Sequence, residues 1–259
     1  MDLGLAGKRA IVCASTRGLG RACAEALLAE GVFVVINGRD AQRTAQTSGE
    51  LSVRWPGRVL SVVADVGTAD GRVALLAACP EPDILVNNNS GPEWAAFAEL
   101  DEEQWLAALR ANMLSPLMLI RAVIPAMRHR GFGRIVNITS AMVTTPRPGL
   151  ALSSGARAGL TAALKGLLLE VARHNVTINN LLPERFDTDR QLKMAELAMA
   201  KHSLTLEAAR ARQIDSIPAQ RLGKPHELGQ TCAFICSAQA AYMTGMNIRL
   251  DGGSYPGLL

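Results

Sequence analysis

Hydrophobic positions along the chain follow two rhythms that take turns. Short runs such as AIV at 10–12, FVVIN at 33–37 and RIVNIT at 134–139 are β-branched or aliphatic, with no regular polar alternation. Strands covered on both faces read this way. Seven are predicted: Leu5–Ala14, Val32–Asn37, Arg58–Ala64, Asp83–Asn87, Gly133–Thr139, Val176–Leu182 and Met246–Leu250. Between them run segments of helical period: Arg21–Glu30, Gln42–Val53, Gly71–Cys79, a long helix to about Arg128, Ser154–His174 and Pro225–Ser237. Asp101 and Gln104 open the long one with an N-cap and a capping box. Regular β–α alternation predicts right-handed crossovers and a doubly wound, Rossmann-type α/β fold with one parallel seven-stranded sheet. The polar, Met-rich stretch 186–213 interrupts the alternation and is expected to be a lid inserted into a single domain spanning 1–259.

Composition narrows the function classes. Hydrophobic residues make up 49% and charged residues 19%, which excludes a disordered chain. Aromatics at 4% argue against a stacking wall for single-stranded nucleic acid. The longest apolar run, Met113–Met127, is broken by Ser115, Pro116 and Arg121, so no membrane span is expected. The N-terminal stretch lacks the pattern of a secretory signal. Cys13, Cys23, Cys79, Cys232 and Cys236 form an odd set without framework spacing, which predicts reduced thiols and a cytoplasmic protein. Cys232 and Cys236 are one helical turn apart in an apolar run, so core thiols are expected there; no cluster has metal spacing. Net charge is +4, and the basic residues are dispersed, which favours small anionic ligands over nucleic acid.

The first strand ends in Cys13, Ala14, Ser15, Thr16, Arg17, Gly18, Leu19 and Gly20, and a helix opens there. Glycines at such a turn let the backbone approach a pyrophosphate, and the helix N-terminus supplies N–H donors. The second strand ends Asn37-Gly38-Arg39-Asp40. A site for NAD places an acid there to hold the ribose 2′-hydroxyl. Arg39, together with Arg17, suits the 2′-phosphate of NADP(H) instead, although each also reads as a solvated charge.

These motifs resemble the short-chain dehydrogenase/reductase family, in particular its 3-oxoacyl-carrier-protein-reductase-like branch, over essentially the whole chain. The loop Ala14-x-x-x-Gly18-x-Gly20 is similar to the family's glycine motif with alanine first. Asp65 and Val66 match the pair at adenine, and Asn87-Asn88-Asn89-Ser90 matches an N-N-A-G strand end with two letters changed. Asn112 and Ser140 match the family's catalytic asparagine and serine. Pro183 to Thr188 matches the segment at the nicotinamide, and YMTGMNIRLDGG at 242–253 the C-terminal signature. The resemblance implies pairing into a symmetric homodimer or homotetramer through the long helices and the last strand.

One part of the pattern is missing. Thirteen residues after Ser140 the family has the tyrosine of Y-x-x-x-K; here Ser153 and Arg157 stand at the two places. An aliphatic hydroxyl is far harder to tune toward neutral pH than a phenol, so Ser153 is no substitute acid. Arg157 stays protonated, and is expected to hold ribose or face a developing oxyanion. Tyr242, in the C-terminal signature, is expected to be structural. Glu184 and His202 are alternative proton donors, though a carboxylate paired with Arg185 and a solvated lid histidine are the plainer readings. Leu192, Met194, Leu197, Met199 and Leu204 in the lid suit either an apolar substrate or helix packing. Three functions follow: an atypical NADP(H) oxidoreductase acting on an imine, activated carbonyl or conjugated double bond; a non-catalytic NADP-binding regulator or assembly subunit; a non-redox enzyme reusing the cleft.

Overall fold

The structure, a computed structural model, describes residues 1–258. Seven strands form one parallel sheet: β1 Arg9–Val12, β2 Phe33–Gly38, β3 Val59–Val63, β4 Ile84–Asn87, β5 Gly133–Ile138, β6 Val176–Pro183 and β7 Asn247–Leu250. Their spatial order is 3-2-1-4-5-6-7, so the winding reverses between β1 and β4. Nine α-helices connect them: α1 Gly18–Ala29, α2 Ala41–Arg54, α3 Ala69–Ala78, α4 Glu102–Leu109, α5 Ser115–Arg130, α6 Ala151–Val171, α7 Asp189–His202, α8 Leu206–Ile214 and α9 Pro225–Cys236. The predicted strands and helices are present, with ends shifted by up to four residues, except that the long helix after β4 is interrupted.

Two apolar cores lie on opposite faces of the sheet. One joins α1, α2 and α9 through Leu27, Leu28, Leu51, Leu228 and Ile235. The other joins α3, α5 and α6 through Leu75, Ile120, Val123, Leu160 and Leu164. Every residue of β4, β5 and β6 is buried, as continuous apolar runs require. β3 differs, because it is an edge strand: Leu60 and Val63 remain about half exposed. Helices α1 and α9 pack so closely that a Cβ on Gly229 would lie 2.3 Å from the Ala22 carbonyl oxygen. Cys23, Cys232 and Cys236 sit fully buried in this core, and all five cysteines are free.

Side-chain amides tie the second half of the sheet together. Asn87, Asn137, Asn180 and Asn247 are in register across β4 to β7. Asn87 Nδ2 donates to Asn137 Oδ1 (2.9 Å), Asn137 Nδ2 to Asn180 Oδ1 (3.0 Å), and Asn180 Nδ2 to Asn247 Oδ1 (2.8 Å). Buried amides are costly unless paired, and the ladder gives the Nδ2 of Asn87, Asn137 and Asn180 each the next residue's Oδ1.

The long helix after β4 departs from expectation. Asp101 and Gln104 form the predicted capping box. A π-helical turn over Arg110–Leu114 then separates α4 from α5. The continuous stretch Glu102–Arg130 is nonetheless long and apolar enough to cross a membrane by length and hydropathy, so the polar breaks do not exclude one as expected. Its Leu119, Ile120, Val123 and Met127 pack into the core beneath the sheet.

Candidate active site

Strand order reverses between β1 and β4, so the loops after these strands splay apart and leave a crevice at their carboxyl ends. The loop after β1 is held by its neighbours. Ala14 adopts a left-handed φ of +45°. Its N–H donates to Asn37 Oδ1 (3.2 Å), and its carbonyl accepts from Asn88 Nδ2 (3.1 Å). Asn37 Nδ2 in turn donates to the Val62 and Ala64 carbonyls (3.1 and 3.0 Å). Ser15 turns inward: its Oγ donates to Val12 O (2.6 Å) and accepts from Asn37 N (2.9 Å). Leu19 packs against the α1 core.

Gly20 has no room for a side chain, since a Cβ would lie 2.4 Å from Ala14 O. Gly38 is equally closed: a Cβ would meet Thr16 Cγ2 at 2.6 Å. The N-cap of α1, Arg17, makes no side-chain cap, so the first N–H groups of α1 face the crevice without one. That is a cradle for a phosphate. At the β2 end, Asp40 caps α2 by accepting from Arg43 N (3.0 Å). Arg39 lies 3.7 Å from Asp65, and Arg17 lies 3.1 Å from Asp189. The two arginines therefore pair with different acids, and both remain exposed. Asp65 Oδ1 also accepts from Gly67 N (2.8 Å), and the Val66 carbonyl accepts from Arg72 and from Ser115 at the start of α5.

The segment after β6 closes the crevice from the other side. Thr188 Cγ2 would touch a Cβ on Gly18 at 3.8 Å, so Thr188 faces the phosphate loop. Helices α7 and α8 occupy the predicted 186–213 insertion. Glu184 is not a surface carboxylate. Its side chain is 6% exposed and lies 3.0 Å from Arg147 and 3.4 Å from Arg185. His202 ends α7, exposed.

The π-turn buries Asn112 beside Asn87 and Arg157 in one small cavity. π-turns often mark functional sites because they re-aim one side chain. Asn112 Nδ2 reaches Ala108 O at 3.4 Å, while Asn112 Oδ1 and Asn87 Oδ1 are buried with no protein partner. Arg157 is also buried. Nη1 donates to Ile138 O (2.8 Å) and Nη2 to Asn89 O (3.4 Å). Burial, and then repulsion from Arg190, push its pKa down to about 10, so it is a cation at neutral pH. Ser153 is buried on the first turn of α6. Ser140 caps the 3-10 turn Ala141–Val143 against which α6 packs, its Oγ accepting from Met142 N (3.2 Å). Ser140 and Ser153 do not line the cavity that holds Asn112 and Arg157.

Neither phenol belongs to this group. Tyr242 is fully exposed in the single chain. Tyr255 stacks on Arg249 at 3.1 Å. Burial pushes the Cys13 thiol up to about 12, so it is inert. Among the described residues no group of acids, cysteines and histidines could hold a metal. The residues missed from sequence are Asn37 and Asn88, which hold Ala14, and Arg190 beside Arg157. An Asn-Gly at a strand end and a run of three asparagines were the available signals for the first two.

A parallel sheet with an open helix N-terminus at its reversal point defines a dinucleotide-binding fold. The profile of a family described as enoyl-(acyl carrier protein) reductase matches residues 13–255. The 3-oxoacyl-[acyl-carrier-protein] reductase FabG of Escherichia coli (strain K12) is 31% identical over 249 residues, covering 96% of this chain and 98% of that protein. An uncharacterized oxidoreductase, YvaG, of Bacillus subtilis (strain 168) is 32% identical over 258 residues, 98% of each. Among solved structures, L-sorbose reductase from Gluconobacter frateurii, complexed with NADPH and L-sorbose, superposes with a TM-score of 0.95 at 28% identity, covering 100% of both chains. The chain belongs to the short-chain dehydrogenase/reductase family of oxidoreductases.

Proposed function

We propose that the protein is an NADP(H)-dependent oxidoreductase whose small-molecule substrate accepts hydride with little help from a protein acid. An imine, an activated carbonyl or a conjugated double bond has that property. The observation that carries the reading is a retained cofactor cradle beside a turn that holds Ser153 where the family has its phenol.

The chain fits NADP(H). The uncapped α1 N-terminus and the closed Gly20 suit a pyrophosphate, with Ala14, Ser15, Gly18 and Leu19 shaping the loop. Asp40 is spent on capping, which leaves Arg39 and Arg17 to meet the 2′-phosphate. Asp65, Val66 and Asn87 line the adenosine side, and Pro183 to Thr188 the nicotinamide side. The bound cofactor supplies the hydride. Asn112 and Ser140 orient substrate or water, and Asn112 Oδ1 is a free acceptor for that purpose. Arg157 holds ribose hydroxyls and places positive charge toward a developing oxyanion. Ser153 supplies a hydroxyl without acid strength. Glu184, already between two guanidinium groups, is a poorer donor than its place in the sequence suggests.

Three further readings accompany this one. Segment 186–213 acts as a lid, tied to the phosphate loop through Arg17–Asp189 and to the loop after β4 through Lys193–Glu93. The protein pairs as a homodimer or homotetramer, because Leu114, Met118 and Leu169 are exposed on the long helices. Five buried free cysteines accord with a cytoplasmic setting.

The test is single-turnover oxidation of NADPH by three substrates: a cyclic imine, a trifluoromethyl ketone and a plain aliphatic ketone. The first two are expected to exceed the third by about 10²-fold or more, the range a missing general acid accounts for. Brisk turnover of the plain ketone overturns the reading. Tight NADPH binding without any hydride transfer turns it into the regulator.

A further inference from the structure

Most arginines around the crevice have an acidic partner. Arg17 pairs with Asp189, Arg39 with Asp65, Arg147 and Arg185 with Glu184, and Arg210 with Asp187. Arg157 and Arg190 do not. Among the described residues no carboxylate oxygen comes within 4.0 Å of either guanidinium, and the nearby Glu93 is taken by Lys193 at 3.1 Å. What they have instead are neutral carbonyls of one loop and one strand end. Arg157 donates to Ile138 O and Asn89 O, and Arg190 donates to Gly91 O (3.4 Å) and Pro92 O (3.3 Å).

The two cations also share a spot. A Cβ built on Gly91 would lie 2.9 Å from Arg190 Nη1 and 3.6 Å from Arg157 Nη2. Two guanidinium groups this close repel each other, and the buried one, Arg157, has lost water that nothing anionic replaces. An oxyanion between them removes both penalties. Planar forks of N–H donors match the oxygens of a carboxylate or phosphate.

We propose that the Gly91 corner of the cleft, between Arg157 of α6 and Arg190 of α7, binds the anionic oxygen group of the substrate, a carboxylate or a phosphate. This rests on reading the cleft as the hydride-transfer site, and it names the substrate class. With no side chain at residue 91, both guanidinium groups reach this corner. Arg190 stands on the second residue of α7, so an anion there would also draw the 186–213 segment onto the loop after β4.

Equilibrium binding tests this without turnover. NADPH is titrated first, by nicotinamide fluorescence. Oxamate, inorganic phosphate and neutral oxamide are then titrated calorimetrically into the NADPH-saturated protein and into the protein without cofactor. At least one anion is expected to bind about tenfold or more tightly than oxamide, as charge-assisted hydrogen bonds require, and which anion does so separates carboxylate from phosphate. Arg190→Gln is expected to abolish the preference and Arg190→Lys to keep part of it; Arg190 is exposed, so both should fold. Equal binding of oxamide and both anions, no binding at millimolar concentration, an unchanged preference in Arg190→Gln, or anion binding that NADPH displaces would each overturn the proposal. Failure of the NADPH titration alone would overturn the cofactor reading and leave the anion result standing.

Discussion

The proposed cofactor cradle and the turn at 153–157 proposed to have lost its proton donor lie at the same end of the sheet, yet they depend on different things. The cradle is built from backbone. At Gly20, Gly38 and Gly71 a Cβ would meet neighbouring atoms at 2.6 Å or less. Asn37 and Asn88 spend their amides holding Ala14. A substitution there disturbs β1, β2 and α1 together. The turn at 153–157 is instead an ordinary stretch of α6. Serine and arginine both fit a helix, so the backbone there demands neither, although both side chains are buried and Arg157 holds the carbonyls of Ile138 and Asn89. Architecture therefore protects the cradle whatever the reaction is. Only a demand for acid catalysis would protect a phenol at 153.

The strongest way to break this contrast is Gly20→Val. The new side chain would run into the Ala14 backbone. Overpacking of this kind costs about 1–3 kcal/mol, and the N–H groups at the start of α1 would move away from the cradle. Measurable NADPH binding should be lost, with a lower Tm. A variant that keeps wild-type affinity by fluorescence titration would show that the cradle is not where the cofactor sits.

The complementary change goes to the turn. Ser153→Tyr with Arg157→Lys should raise reduction of a plain ketone by about 10²-fold, the low end of what a general acid provides. Arg157→Lys alone should do little, having no phenol to tune. Equal rates for the double variant and the parent, with NADPH affinity retained, would mean that α6 does not present position 153 to the nicotinamide.

The same division explains what the sequence could and could not reveal. The strands were legible because they are continuous apolar runs, and the phosphate loop because glycine spacing reports backbone contacts directly. The asparagine ladder was not, since its members are 43 to 67 residues apart and only strand register brings them together. The π-turn at Arg110–Leu114 leaves no mark in helical periodicity, yet it buries Asn112. Glu184 looked exposed because charged residues usually are; its burial follows from Arg147, which is 37 residues away. Tyr242 sat in a recognisable motif, but a motif says nothing of exposure. The edge position of β3 likewise depends on strand order, which no local pattern encodes.

A smaller effect is expected at the 2′-phosphate. Arg39→Ala should weaken NADPH by roughly tenfold and leave NADH nearly unchanged, since a hydrogen bond to a charged group contributes about 1.5–3 kcal/mol when well formed and less when exposed. It also releases Asp65, whose charge would then face the phosphate. Equal losses for both cofactors would place Arg39 outside that contact.

Acid should loosen the cradle's support through α9. Glu227 accepts from Arg221 (2.7 and 2.9 Å) and from Lys224 N (2.7 Å). The Arg221 hydrogen bonds first, and the backbone N–H next, lower its pKa from 4.5 to about 2. A folded pKa below the unfolded value stabilises the protein above pH 4.5, and that contribution fades as pH falls toward 2. Arg221 is about half exposed and Glu227 about a third, so solvent screening discounts the contribution to about 1 kcal/mol. Glu227→Gln should lower Tm by about 2–4 °C at pH 6, with the gap to wild type closing between pH 4.5 and 2. A gap that stays constant with pH would show that the carboxylate charge contributes nothing.

The finest test lies inside the cradle itself, at its one departure from the glycine pattern. Ala14 holds φ at +45°, where a Cβ crowds the following carbonyl and costs about 1 kcal/mol. The hydrogen bonds from Ala14 N to Asn37 and from Asn88 to Ala14 O keep it there. Ala14→Gly would relieve the strain and add some freedom to the unfolded chain, two effects of opposite sign. Relief should win by roughly 0.5 kcal/mol, which raises Tm by about 1–2 °C. NADPH affinity should stay within about twofold, because the same two asparagines still fix the loop. A fall in Tm would mean that the bonds to Asn37 and Asn88 already absorb the strain. Alanine would then be the better residue here, because its stiffer unfolded chain loses less on folding.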